Sequence, residues 1–224
     1  MKQTSERLMP AFFILGLLVL WEGAVRIFGI PLYVLPSPVQ VAETLVQELP
    51  VLALHARVTV AEALAGVAIS LVLALALGVL MDCFPMIRQG LYPVLVVTQT
   101  VPMIVLAPIF IIYMGFGAAP KILTVVLMCF FPVAVSFSDG LSQVDAEYVH
   151  LVRSYGAGQW KTYCLVKIPA AVPALLSGLK VAATYSISGA VVGEWIGSQE
   201  GLGYYLLRVK NGYMLDKVFA CVAV

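Results

Sequence analysis

The chain has 224 residues, of which 62% are hydrophobic and 11% charged, with a formal net charge of +1 and a mean hydropathy of +1.00. A soluble domain carries roughly 25% charged residues, so a soluble fold is excluded. The near-neutral charge, with no basic stripe interleaved with stacking aromatics, excludes a nucleic-acid partner. Alternating polar and apolar strands of the barrel type are also absent. The fold class expected is all-α, a polytopic membrane protein of about six transmembrane helices in one domain over residues 1–224.

The first apolar run, 10–28, follows a basic start at Lys2 and Arg7. It is longer than a signal-peptide core and no A-x-A cleavage site follows it, so an uncleaved span is expected. Glu22 and Arg26, at i and i+4, are spaced to pair on one helix face. Leu35-Pro36-Ser37-Pro38 comes next, and then a second span over 58–80.

The third run, 91–114, contains Thr98, Gln99 and Thr100 followed by Pro102 and Pro108. Each proline removes a backbone donor, so this helix is expected to kink or break. Broken helices are tolerated in membranes where they are buried in protein or line a cavity. Thr98, Gln99, Thr100 and Pro102 are therefore candidates for a translocation path, with plain helix packing as the alternative.

A fourth span over 122–137 leads to a polar segment at 139–169. There Asp145 is placed to cap a helix bearing Val149, Val152 and Tyr155 at helical spacing. Gly156 supplies a left-handed terminator and Gly158 loosens the link. A second short helix is expected to carry Trp160, Tyr163 and Val166 on one side and to stop at Pro169. Such an elbow, kept outside the bilayer, suits a partner protein.

The fifth span, 170–193, holds Lys180 near its middle. A central charge costs about 2.5–3.5 kcal/mol on insertion scales, so snorkelling or pairing with a neighbouring helix is expected. Thr184, Ser188 and Gly189 are small enough for close helix approach. Tyr185 and Ser188 join the candidate path. Glu194 is a candidate gate or substrate-facing carboxylate, with a solvated helix end as the alternative. A sixth run starts near Met214 and reaches Val224 at roughly half the length of a span, which reads as a fragment or an incomplete last helix.

Lysines and arginines divide six against six between the two sides, with Lys180 inside a span, so charge does not orient the chain. The cysteines at 83, 129, 164 and 221 are scattered singly, without metal or redox spacing. The run from Gly156 to Thr162 lacks the glycine that a phosphate loop needs directly before its lysine, since Trp160 stands there. No catalytic constellation or bound cofactor is expected; any ATP and magnesium would sit on a partner.

Gly156, nine further residues and then Val166-Lys167-Ile168-Pro169 resemble the second half of the EAA loop of ABC importer permeases. His150, Leu151 and Val152 stand in the EAA positions, a departure that removes the loop's usual glutamate. Leu35-Pro36-Ser37-Pro38, the stretch from Thr98 to Pro108, and Gly115-Phe116-Gly117 with Pro120-Lys121 are similar to the branch serving sulfonates, taurine, nitrate and thiamine precursors. The runs 178–186, Gly193-Glu194-Trp195 and 201–205 look most like thiamine-pyrimidine precursor permeases.

The resemblance implies a type I ABC importer permease (MetI-like) fold in the cytoplasmic (inner) membrane. It also implies a cytoplasmic ABC ATPase subunit, an extracytoplasmic substrate-binding protein and a second copy of the permease as partners. The implied coupling residues are Tyr148, His150, Leu151, Val152, Gly156, Ala157, Trp160, Val166, Ile168 and Pro169. The implied cargo is hydroxymethylpyrimidine or its formylamino relative, with sulfonate, taurine or nitrate as alternatives. A secondary transporter is the alternative of another class; a broken third span and Lys180 would suit it, but no internal repeat pairs two interrupted helices.

Overall fold

The computed structural model describes residues 2–224, with the side chains of 2–8 and 11 left outside the description, so the basic start at Lys2 and Arg7 lies outside the described side chains. In chain order the helices are α1 (Lys2–Ile27), α2 (Pro38–Cys83), α3 (Pro85–Thr98), α4 (Met103–Met114) and α5 (Ala118–Ser142), followed by α6 (Ala146–Ser154), α7 (Gln159–Thr162), α8 (Ile168–Glu194), α9 (Leu202–Asn211) and α10 (Leu215–Val222). No strand occurs among the described residues. The all-α expectation holds.

Among the described residues, α2, α5 and the continuous stretch Gln159–Glu194 are long and apolar enough to cross a membrane. The pair α3 and α4, bent by 102° across a four-residue break, makes a fourth span if the two halves count as one. This is the break expected from the prolines: α3 ends at Thr98, and Pro102 starts α4 with extended backbone. Six spans are not confirmed.

The chain divides into two compact units, one of Met1–Arg57 with Glu200–Val224 and the other of Val58–Gln199. In the first, Ser37 and Gln40 form a reciprocal capping box at the start of α2. The Gln40 side chain accepts from Ser37 N–H at 2.9 Å, and Ser37 Oγ accepts from Gln40 N–H at 3.4 Å. Pro38 fits the first helical position, where no N–H is needed. Glu22 takes Arg26 at 2.5 Å and Val39 N–H at 3.2 Å.

Within the same unit, Glu48 binds Lys217 at 2.5 Å and accepts from the Tyr205 hydroxyl at 3.1 Å, while the Thr44 hydroxyl donates to Asp216 at 3.1 Å. Burial, helped by that carboxylate, holds the Tyr205 phenol well above its usual pKa, so it stays a donor. Helix α2 therefore begins 20 residues before the span expected from hydropathy. Its polar positions in that stretch are occupied by protein partners, which a hydropathy window does not register.

The second unit is built around α5. Gly140, Gly178, Gly189 and Gly193 mark where α5 and α8 touch. A methyl at Gly178 would lie 2.8 Å from Pro132 O, and one at Gly193 would lie 2.9 Å from Lys121 Cα. Gly66 and Gly78 on α2 face Val125 and Phe137 of α5 in the same way. Ser70 Oγ donates to Val126 O at 3.0 Å, and Cys129 Sγ to Ala182 O at 3.3 Å. Small residues allow backbones to meet where lipid offers no hydrophobic drive to associate.

Of the small residues expected at this contact, Gly189 is in it, whereas Thr184 and Ser188 are exposed. The packing face follows Gly178, Ala182, Gly189 and Gly193, and the 3.6-residue period turns Thr184 and Ser188 away from it.

Overpacking at the α5–α8 contact should destabilise by about 1–3 kcal/mol. Gly178→Val is expected to lower the thermal midpoint in detergent, while Gly90→Ala, inside α3 with nothing within 4 Å of its added methyl, holds or slightly raises it. Circular dichroism melts of the two variants check this.

Candidate functional site

The segment joining α5 to α8 forms the elbow. Asp145 caps α6, its Oδ1 accepting from Glu147 N–H at 2.9 Å, as its position suggested. Gly156 follows at φ +82° with open space around it, so the constraint there is backbone conformation rather than crowding. Its N–H bonds Arg153 O at 2.9 Å, and Ala157 N–H bonds Val152 O at 3.2 Å, closing the end of α6.

Pro169 does not stop the second elbow helix. The helix runs from Gln159 to Glu194 through a π-helical turn at Tyr163–Lys167, in which Ile168 N–H reaches five residues back to Tyr163 O. In an α turn, the proline ring would press on the Leu165 carbonyl and leave it without a donor. The widened turn accommodates both defects.

Trp160 and Tyr163 also do not share an environment. Trp160 is 76% exposed, whereas Tyr163 is buried, its hydroxyl drawn inward. The elbow thus has two sides. Tyr148, His150, Leu151, Tyr155, Trp160 and Pro169 stand outward, while Val152, Ala157, Val166 and Ile168 are half-buried beneath them.

One clasp holds the elbow to the end of α2, and a second joins α3 to the end of α5 where the elbow begins. At the end of α2, Asp82 Oδ2 accepts from Lys167 Nζ at 2.6 Å and from the Tyr163 hydroxyl. The Lys167 ammonium also sits 5.2 Å from the Tyr163 ring centroid. The Asp82 side chain is 7% exposed and that of Lys167 21%, so the pair is charge-assisted and partly shielded from solvent. At the end of α5, Asp139 takes Arg88 at 3.3 Å and the Tyr92 hydroxyl at 3.1 Å, both from α3.

Sequence reasoning missed Asp82 and Asp139 as functional positions. The available signal was opposite charge at the ends of apolar runs that must emerge on one side of a membrane.

The candidate path residues separate. Gln99 and Tyr185 come together in a cavity of about 270 Å³ at the break between α3 and α4, lined also by Met103, Leu127, Phe131 and Pro132. The Thr98 and Thr100 hydroxyls bond back to carbonyls of α3 at 2.8–2.9 Å, so they serve the helix end. Pro102 makes the bend, and Ser188 is exposed on α8.

Glu194 lies at the far end of α8, 1% exposed, accepting from the Thr59 hydroxyl at 2.7 Å. It is neither a solvated helix end nor part of the cavity. Beside it, Lys121 pairs with Glu62 and donates to Ser198 Oγ at 3.3 Å, so a polar cluster also ties α2, α5 and α8 opposite the elbow.

Residues 66–224 match the family described as "Binding-protein-dependent transport system inner membrane component". The chain is 37% identical to the formylaminopyrimidine transport permease protein ThiX of Halalkalibacterium halodurans, over 98% of this chain and 88% of that protein. It is 31% identical to the riboflavin transport system permease protein RibX of Chloroflexus aurantiacus, over 92% and 78% of the two chains. A putative aliphatic sulfonates transport permease protein, SsuC of Bacillus subtilis, is 30% identical over 97% and 78%.

Removing the Asp82 carboxylate leaves a partly shielded ammonium without its counter-charge, a loss on the order of 1–3 kcal/mol. Asp82→Ala is expected to lower the thermal midpoint more than Tyr163→Phe, which keeps the ion pair. Exchanging the two charges, Asp82→Lys with Lys167→Asp, should regain part of the loss in the same melts.

Proposed function

This chain belongs to the binding-protein-dependent transport system inner membrane components, and from that premise we propose that it carries a thiamine-pyrimidine precursor, hydroxymethylpyrimidine or its formylamino relative, across the inner membrane. The observation that carries the substrate reading is the 37% identity to a formylaminopyrimidine permease along nearly the whole chain. The sulfonate alternative rests on a weaker likeness. Family membership implies an ATPase and a substrate-binding protein as partners, and it displaces the secondary-transporter reading.

In this reading the elbow, residues 139–169, is the coupling loop on the cytoplasmic side, and the chain works as a homodimer in the lipid bilayer. The outward side chains Tyr148, His150, Leu151, Tyr155 and Trp160 are the surface offered to the ATPase, an aromatic and apolar patch that excludes water when docked. With no glutamate in the EAA positions, docking rests on packing more than on charge. Gly156 sets the angle between the two elbow helices.

Displacement of the elbow then passes to α8 directly, through the unbroken helix, and to α2 through the Asp82 clasp. Rigid helices swinging about such joints provide alternating access. Gln99 and Tyr185, at the broken span, are the side chains placed to meet cargo. Glu194 acts as a positioning residue that fastens the outer end of α8. ATP hydrolysis belongs to the partner subunit.

In the complex of this chain with its ATPase and binding protein, ATP hydrolysis should rise several-fold when the binding protein carries formylaminopyrimidine and should not rise with taurine. Stimulation by taurine alone would transfer the assignment to the sulfonate branch. Gly156→Val forces a branched residue into a left-handed conformation. It is expected to abolish stimulation and uptake while insertion into the membrane stays normal; wild-type uptake in that variant would sink the coupling-loop assignment.

A further inference from the structure

We propose that Lys180 faces the water-filled translocation pathway and sets its charge preference, admitting cargo rich in hydrogen-bond acceptors and repelling cations. The inference rests on the importer reading above and names a cargo-facing residue within it. Lys180 lies on α8, 12 residues after Ile168 and 14 before Glu194, or roughly 18 and 21 Å from the two ends at 1.5 Å per residue. A helix of that length outruns a hydrocarbon core of about 30 Å at both ends, so Lys180 stands near mid-membrane, on the order of 15 Å from either face. A lysine side chain cannot snorkel so far.

Pairing within the protein is closed off as well. Lys180 is exposed, on the side of α8 away from the Gly178, Ala182 and Gly189 contact with α5, and no hydrogen bond or ion pair reaches it among the described residues. The stretches 7–21, 63–81, 83–138 and 148–193 contain no Asp or Glu. The apolar runs 10–28, 58–80 and 214–224 hold Glu22, Glu62 and Asp216, and these are already engaged by Arg26, Lys121 and the Thr44 hydroxyl; a second copy repeats the same pairs. A charge at mid-membrane without a counter-charge requires water.

The surroundings on α8 agree. By helical rotation, Ser177, Thr184 and Ser188 flank Lys180 on one side, all exposed, and beyond them comes Tyr185 of the Gln99 cavity. Leu176, Ala183 and Ile187 flank it on the other. The Ser177 and Thr184 hydroxyls bond back to Pro173 O and Val181 O at 3.0 and 2.7 Å, a mildly polar edge that contains one charge. Lys180 thus marks the boundary between the cavity side of α8 and its apolar side.

An ammonium offers three donors and no acceptor. Ring nitrogens and the carbonyl of a formylaminopyrimidine, or the oxygens of a sulfonate, satisfy it; metal cations and hydronium are turned away. Charged side-chain rings select ions in pores by the same means.

The test uses the complete importer in proteoliposomes, with the four native cysteines replaced by alanine. Lys180→Cys should react with a charged, membrane-impermeant methanethiosulfonate at least ten times faster than Leu176→Cys. In the cysteine-containing protein, Lys180→Gln should slow formylaminopyrimidine uptake about tenfold, with Lys180→Arg restoring most of it. If sulfonate uptake slows instead, the same acceptor chemistry is served by the anionic source.

Lys180→Cys that stays unlabelled in every nucleotide state would overturn the proposal, as would Lys180→Glu transporting at the wild-type rate. Labelling at Lys180→Cys in an importer that ignores formylaminopyrimidine would sink only the substrate reading.

Discussion

Close approach of the α5 and α8 backbones is the constraint on which the second unit depends. At Gly178 and Gly193 there is no room for a methyl group, so the contact is made of main chain and small side chains rather than interlocked large ones. In lipid this is the effective way to bind two helices, because dispersion and close packing act where the hydrophobic effect does not. The elbow is the connection between these same two helices. Fixing their spacing also fixes the two ends from which the elbow hangs.

Polar groups are sorted by depth around that contact. Asp82 with Lys167, and Asp139 with Arg88, lie at the elbow end; Glu194 with Thr59, and Glu62 with Lys121, lie at the other. Helix α2 takes part at both ends, so it is fastened to α5 and α8 like a stave between two hoops. Between the hoops the described interior holds no charged side chain, and the buried Ser70 and Ser186 hydroxyls bond to backbone carbonyls. A bundle built this way rotates more easily as a block than it shears, since shearing would break buried charge pairs at both ends together. Rigid rocking is the motion that transport by alternating access uses.

Much of this was legible in the sequence. Composition established the class, Pro102 located the broken span while Pro108 sits inside an unbroken α4, and Asp145 and Gly156 bounded the first elbow helix. Gln99 and Tyr185, singled out separately, meet in one cavity. What could not be read depended on partners distant in the chain. Residues 38–57 carry too many polar groups for a hydropathy window, yet they continue α2 because Lys217, Tyr205 and Asp216 engage them. Nothing local marks Asp82 as the partner of a lysine 85 positions away. Pro169 is a fair stop signal by local rules, and it failed because a turn of another pitch accommodates it.

That turn carries a consequence for how the elbow is aimed. A π turn inserts a residue into a helix without ending it, and so resets the angular phase of everything before it relative to everything after. The extra residue falls after Trp160 and at Tyr163, so it sets the direction of both relative to the spans. Deleting one residue between Tyr163 and Lys167 would rotate the outward patch by about 100° about the helix axis, carrying it round toward the spans. The length of the segment from Gly156 to Pro169 is therefore under tighter constraint than most of its side chains, and substitutions there should be far better tolerated than insertions or deletions.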